Sequence, residues 1–197
     1  RDPDMALRGM TCVDGRLYIS DWNADAVLAV DTNTCAVLDR IPLIQPGALT
    51  AMPDGKRFLA ISAGAVVRVD PASKSIQPVI PATSELSPRA LACDAQGTMF
   101  ISDSSSRTVR VYSDAGKPIR TIGKPGGPYT GAYDPLRLFG ASGLSVSSNG
   151  WLWLTESSRW APKRLVAFDA KTGAVLKARF GPPAYGCPGS GFDPIDP

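Results

Sequence analysis

The chain has 197 residues, 44% hydrophobic and 20% charged, with a net charge of +3, 19 Gly, 18 Pro and no His. That apolar content excludes a disordered chain. Apolar stretches such as Ala26-Val27-Leu28-Ala29-Val30 fall far short of the roughly 20 residues of a membrane-spanning helix. Without histidine, these residues build no Ser-His-Asp triad, Cys-His pair or imidazole-ligated zinc site. A charge of +3 is too mild for the electrostatic footprint of a nucleic-acid binder.

In chain order, one pattern recurs four times: a short apolar run, a polar turn ending in Gly, a strand ending in Ser or Thr plus, in three of the four, an acid, then further strands. It opens at Met10-Thr11-Cys12 and continues through Gly15-Arg16-Leu17-Tyr18-Ile19-Ser20-Asp21. Its second copy runs from Leu49-Thr50-Ala51 through Gly55 to Phe58-Leu59-Ala60-Ile61-Ser62, without the acid. The third is Leu91-Ala92-Cys93, then Gly97-Thr98-Met99-Phe100-Ile101-Ser102-Asp103. The fourth is Leu144-Ser145-Val146, then Gly150-Trp151-Leu152-Trp153-Leu154-Thr155-Glu156. Third strands are expected at Ala26–Asp31, Ala65–Asp70, Thr108–Ser113 and Arg164–Asp169, and fourth strands at Ala36–Ile41, Ser75–Ile80, Pro118–Ile122 and Ala174–Phe180.

Four strands per repeat joined by turns define an all-β fold, a β-propeller with four recognisable four-stranded blades. The blades fall over 5–46, 47–87, 88–130 and 141–180, followed by a tail over 181–197. Asp54-Gly55 and Asn149-Gly150 read as two-residue hairpins, which need positive φ. No segment keeps the 3.6-residue apolar period of a helix. A β-sandwich gives similar strand spacing but no reason for one motif to recur in register.

The run Ile119-Arg120-Thr121-Ile122-Gly123, a loop, then Ala141-Ser142-Gly143-Leu144-Ser145-Val146 and Asn149-Gly150-Trp151-Leu152-Trp153-Leu154-Thr155-Glu156 resembles the NHL repeat. So does Arg107-Thr108-Val109-Arg110-Val111-Tyr112 in the third copy. The resemblance extends over about residues 5–180 and implies NHL-like blades, although such propellers serve many functions. Members of that family usually close with about six blades. The alternatives are therefore a compact four-bladed ring or part of a larger propeller, and the start at Arg1 with the uncapped tail favours the part.

Antiparallel blades put the second-to-third turn and the inter-blade connection at one end. The two longest such loops, 123–139 and 156–163, therefore share a face and bring together Tyr129, Tyr133, Arg137, Arg159 and Trp160. Aromatic residues and Arg on loops over a rigid scaffold are the composition of a recognition surface. The plainer alternative is that Tyr133 and Trp160 fold down over the blade ends while Arg159 pairs with Glu156. Asp21, Asp103 and Glu156 recur at the end of each second strand, where a carboxylate accepts the amides of the next turn. That recurrence assigns them a capping role. Cys12 and Cys93, at one first-strand position, read as small apolar filler; Cys35 and Cys187 are placed for a bridge that spacing alone does not assign.

These residues lead to a non-enzymatic binding or scaffold module with a protein or glycan partner, without a cofactor. The enzymatic alternative is a gluconolactonase-like hydrolase, with calcium near the axis held by oxygen ligands, for which Asn23 and Glu85 are the sparse candidates. A third reading, an RNA-binding NHL propeller, would use Arg107, Lys124, Arg137, Arg159, Lys163 and Arg164 with exposed aromatics to stack bases. Abundant Gly and Pro with little Lys point to an exported bacterial protein, extracellular or periplasmic.

Overall fold

A computed structural model of the chain describes residues 6–156 and 163–181. It is all-β: sixteen strands form four antiparallel four-stranded sheets, each in sequential order, the blades of a β-propeller. The chain divides into two compact units between Ser84 and Glu85. Arg159, Trp160 and Cys187 lie outside the described residues.

The first unit holds blade 1, with β1 (Leu7–Val13), β2 (Arg16–Asp21), β3 (Ala26–Val30) and β4 (Val37–Pro42). Blade 2 follows, with β5 (Pro46–Ala51), β6 (Phe58–Ser62), β7 (Ala65–Asp70) and β8 (Ser75–Ile80). Alternation sends Tyr18, Val27, Ala29 and Ile41 of blade 1 and Phe58, Ala60, Val67 and Val69 of blade 2 into one buried cluster. A fully buried side chain of this kind contributes roughly 1.5–3 kcal/mol. Gly9 is required by a close approach: a Cβ there would stand 2.7 Å from the Gly47 carbonyl oxygen and 2.8 Å from the Ala48 Cα.

The second unit holds blade 3, with β9 (Pro88–Cys93), β10 (Met99–Asp103), β11 (Thr108–Tyr112) and β12 (Pro118–Ile122). Blade 4 comprises β13 (Ala141–Val146), β14 (Trp151–Glu156), β15 (Arg164–Asp169) and β16 (Val175–Phe180). Its core joins Phe100, Val109, Val111 and Ile122 to Leu152, Leu154, Val166 and Phe168. The expected third and fourth strands match within a residue or so at each end.

A buried serine at the penultimate position of a second strand stitches neighbouring blades. The Ser20 hydroxyl donates to the Gly47 carbonyl at 2.6 Å. Ser102 donates to the Ala141 carbonyl at 3.3 Å and accepts the Ala90 amide at 2.8 Å. At the same position of blade 4, the Thr155 hydroxyl is buried without a hydrogen-bond partner.

Two expectations are corrected. Of each dipeptide expected as a two-residue hairpin, only the glycine has positive φ, 66° at Gly55 and 80° at Gly150. The loops are longer, closed by Met52 with Arg57 and by Ser147 with Trp151. They are built round a type I turn that needs a single left-handed residue. Both residues are left-handed at Asp14-Gly15 (49° and 70°), where Val13 pairs directly with Arg16. The second correction is Cys12, which is exposed and not interior filler, because β1 is itself exposed along much of its length; Cys93 is half-buried.

Candidate functional site

The connection between β12 and β13 leaves blade 3 at Gly123 and follows a path only glycine takes easily. Gly123, Gly126, Gly127, Gly131 and Gly140 all have φ between 75° and 141°. At Gly127 the Arg107 side chain occupies the space a Cβ would need, 2.5 Å from Nη1. The loop closes on itself: the Lys124 amide donates to the Leu136 carbonyl at 2.7 Å, and the Lys124 ammonium meets Asp134 at 2.7 Å. Leu138, fully buried, plugs it into the core. It is a packed Ω-type loop.

Blade 4 anchors this loop through an ion pair. Glu156 and Arg164 stand directly opposite each other on β14 and β15. Arg164 Nε donates to Glu156 Oε2 at 2.5 Å, with both side chains 1% exposed. Glu156 Oε1 accepts the Phe139 amide at 2.8 Å. Arg164 Nη1 donates to the Tyr133 hydroxyl at 2.9 Å and the Pro135 carbonyl at 3.0 Å. Burial by itself would lower the Arg164 pKa, but the Glu156 carboxylate, and then Tyr133, hold it above its usual value. One charged pair thus fixes the second limb of the loop at Tyr133, Pro135 and Phe139, and the first limb is tied to it by Lys124 and Arg137.

The loop and the end of blade 4 present aromatic rings. Tyr129 is 57% exposed, Tyr133 60% and Phe180 57%. Tyr133 meets Phe180 edge-on with centroids 5.5 Å apart. The Arg137 guanidinium lies 4.3 Å from the Tyr129 ring centroid, on the order of 1 kcal/mol at an exposed site. Beside Phe180 opens a cleft of about 270 Å³, walled by Leu165, Lys163 and Arg179.

Of the five residues assigned to this face, Tyr129, Tyr133 and Arg137 come together, while Arg159 and Trp160 lie outside the described residues. Arg137 serves the loop itself: it donates to the Gly127 carbonyl at 3.2 Å and approaches Asp134 at 3.9 Å. Tyr133 leans on the end of blade 4 through Arg164 and Phe180 and is still 60% exposed, and Glu156 pairs with Arg164.

Sequence reasoning missed Arg164 as the anchor and Phe180 as part of the face. A signal for the first was present, because Arg164 stands where the other blades open their third strand with Ala26, Ala65 and Thr108.

The capping assignment fits two of the three acids. Asp21 Oδ1 accepts the Asn23 and Ala24 amides at 3.1 and 2.9 Å. Asp103, 1% exposed, accepts the Ser87 and Ser105 amides, the Ser105 and Ser106 hydroxyls and Arg110 Nε. Burial would raise its pKa, but these donors outweigh burial and hold the carboxyl at about 2. Glu156 departs from the pattern: it holds a loop and an arginine.

Asn23 and Glu85 belong to different units. The Asn23 amide is held by Asp21, and Glu85 engages Arg110 through its backbone carbonyl. Among the described residues no three His, Cys, Asp or Glu side chains gather as metal ligands. Of the basic set named for RNA, Arg159 lies outside the described residues. Arg164 is buried, Lys124 is paired with Asp134, and Arg137 is turned into its own loop. No helix among the described residues is long and apolar enough to cross a membrane.

No known family pattern matches the chain, and no curated protein is detectably similar. Solved structures do match. Hydrazine synthase of Kuenenia stuttgartiensis superposes with a TM-score of 0.65 at 20% identity, over 90% of this chain and 49% of that one. Virginiamycin B lyase from Staphylococcus aureus gives 0.64 at 16% identity, over 89% and 56%. The class these comparisons define is the β-propeller, a fold that leaves activity open. This chain spans about half the length of the proteins it resembles.

Proposed function

We propose that this chain is a non-enzymatic binding module of NHL-like blades that takes a protein or glycan partner on the face formed by residues 123–139 and the end of blade 4. One observation carries the reading: three aromatic rings stay more than half exposed, Tyr133 on a limb pinned by a fully buried ion pair, Tyr129 against Arg137 of the same loop and Phe180 at the end of β16. Loops of ordinary solvated character do not combine rigid anchoring with exposed aromatic area. Preorganised rings add contact area at little entropic cost, and hot spots are enriched in Tyr and Arg. The adjoining cleft beside Phe180 offers a recess for one projecting group of the partner.

The test is an array of oligosaccharides and peptides probed with the wild-type chain and with a Tyr129→Ala/Phe180→Ala double variant. Neither of those two side chains holds the anchor, so the fold persists, with the melting temperature lowered only by the few degrees that loss of the Tyr129–Arg137 and Tyr133–Phe180 contacts costs. Binding to the recognised class falls by at least about 30-fold, the scale of a hot-spot pair. Binding that is equal in the variant and the wild type removes this face from consideration.

A further inference from the structure

At the other end of blades 3 and 4 from the 123–139 loop, residues 94–96, 147–150 and 169–171 of three turns surround a cleft of about 620 Å³. That is within the roughly 300–1,000 Å³ range of small-molecule sites. Its apolar floor is made by Phe100 and Val146, with Ile119, 51% exposed, at its edge. The geometry points to a binding site for a small, neutral, polyhydroxylated ligand, a mono- or disaccharide, with one apolar face on Ile119 and Val146 and its hydroxyls on the polar rim.

The rim carries the argument. Asp94 and Asp169 each hold their own turn through Oδ1, which accepts the Gln96 and Thr98 amides in one and the Lys171 and Thr172 amides in the other. The Oδ2 atom of each carboxylate takes no hydrogen bond among the described residues. Arg120 crosses from β12 to the Ala170 carbonyl, and its buried Nε has no partner. Lys171 and Ser148 are exposed on the same rim. Acceptors and donors are therefore interleaved round an apolar floor, which suits hydroxyl groups because each both donates and accepts. Two carboxylates face two cations, so neither an anion nor a cation enters without meeting its own sign. Turns held by their own Oδ1 bonds leave the second carboxylate oxygens open to a ligand's hydroxyls, and hydrogen bonds to charged groups are the stronger kind.

The test is amide-shift titration by NMR with glucose, galactose, mannose, N-acetylglucosamine, lactose and cellobiose, using glucuronate and glucosamine as charged probes. At least one neutral sugar should saturate the Gln96, Ser148 and Lys171 amides. An Asp94→Asn/Asp169→Asn variant keeps Oδ1 for the turns and loses the second carboxylate oxygens, so affinity falls about tenfold or more with the fold intact. Ser148→Trp fills the cleft and abolishes the titration. Tyr129→Ala/Phe180→Ala leaves it unchanged, which separates this site from the recognition face. No saturable shift with any neutral sugar, tighter binding of either charged probe, or an affinity indifferent to both cleft variants would overturn the assignment.

Discussion

Asp103 and Glu156 each end the second strand of their blade, and each has an arginine from the following strand in reach. In blade 3 the carboxylate turns inward on its own hairpin, collecting two serine hydroxyls and the Ser105 amide, while Arg110 remains 29% exposed beside it. In blade 4 the arginine has moved to the first position of β15, directly opposite the acid, and both charges are buried. Glu156 then reaches the Phe139 amide, and Arg164 reaches Tyr133 and Pro135 on the same limb of a long loop. One framework position thus serves as a local cap in one blade and as a loop anchor in the next. The added methylene of Glu and the shifted Arg account for the difference.

The comparison breaks most sharply at Arg164. Arg164→Ala strands the buried Glu156 charge and should cost about 3–5 kcal/mol in chemical unfolding. Arg110→Ala leaves Asp103 with its serine and amide donors, so it should cost well under half of that. An equal loss in both would erase the distinction.

Acid separates the two regions next. The Asp103 carboxyl lies at about 2, below its unfolded value near 3.8, so the folded state binds its proton more weakly. Its contribution, roughly 2 kcal/mol, is complete above the unfolded pKa and is lost as pH falls from about 4 towards 2. Asp103→Asn should flatten the stability–pH curve in that window. A curve of unchanged slope would mean the network does not favour the charged form.

The residue before each acid sharpens the contrast. Ser102→Ala leaves the buried Ala90 amide without its acceptor and should cost about 1–3 kcal/mol. Thr155→Val removes a buried hydroxyl that has no partner and should be neutral or slightly stabilising in the same denaturant titration. Smallest is Tyr133→Phe, which takes one hydrogen bond from Arg164 and should cost about 1 kcal/mol. It leaves the ring and its Phe180 contact in place; a loss as large as that of Arg164→Ala would make Tyr133, and not Glu156, the principal anchor.

The blades were legible in the sequence because strand alternation and turn glycines are local signals repeated four times. The turn chemistry was only partly legible: Asp54-Gly55 and Asn149-Gly150 mark turns, but residue type alone does not set loop length. The end of the blades at which the 123–139 loop lies, with Tyr129 and Tyr133 on it, followed from antiparallel parity. What held the loop was not legible, since the Glu156–Arg164 pair depends on cross-strand register. Register emerges only when β14 and β15 are paired residue by residue. The contacts of Arg137 with the Pro125 and Gly127 carbonyls were not legible for a similar reason, since no sequence motif announces a backbone partner. Cys12 shows the converse, where a position shared with Cys93 did not bring shared burial.

The central claim is that a buried ion pair holds an aromatic-bearing loop rigid. Hydrogen exchange by mass spectrometry over residues 124–139, in the wild type and in Arg164→Ala, tests it most directly. The account predicts slow exchange at Phe139 and Leu136 in the wild type, and fast exchange there in the variant while 99–112 stays protected. Exchange of 124–139 at the unprotected rate in the wild type would contradict it.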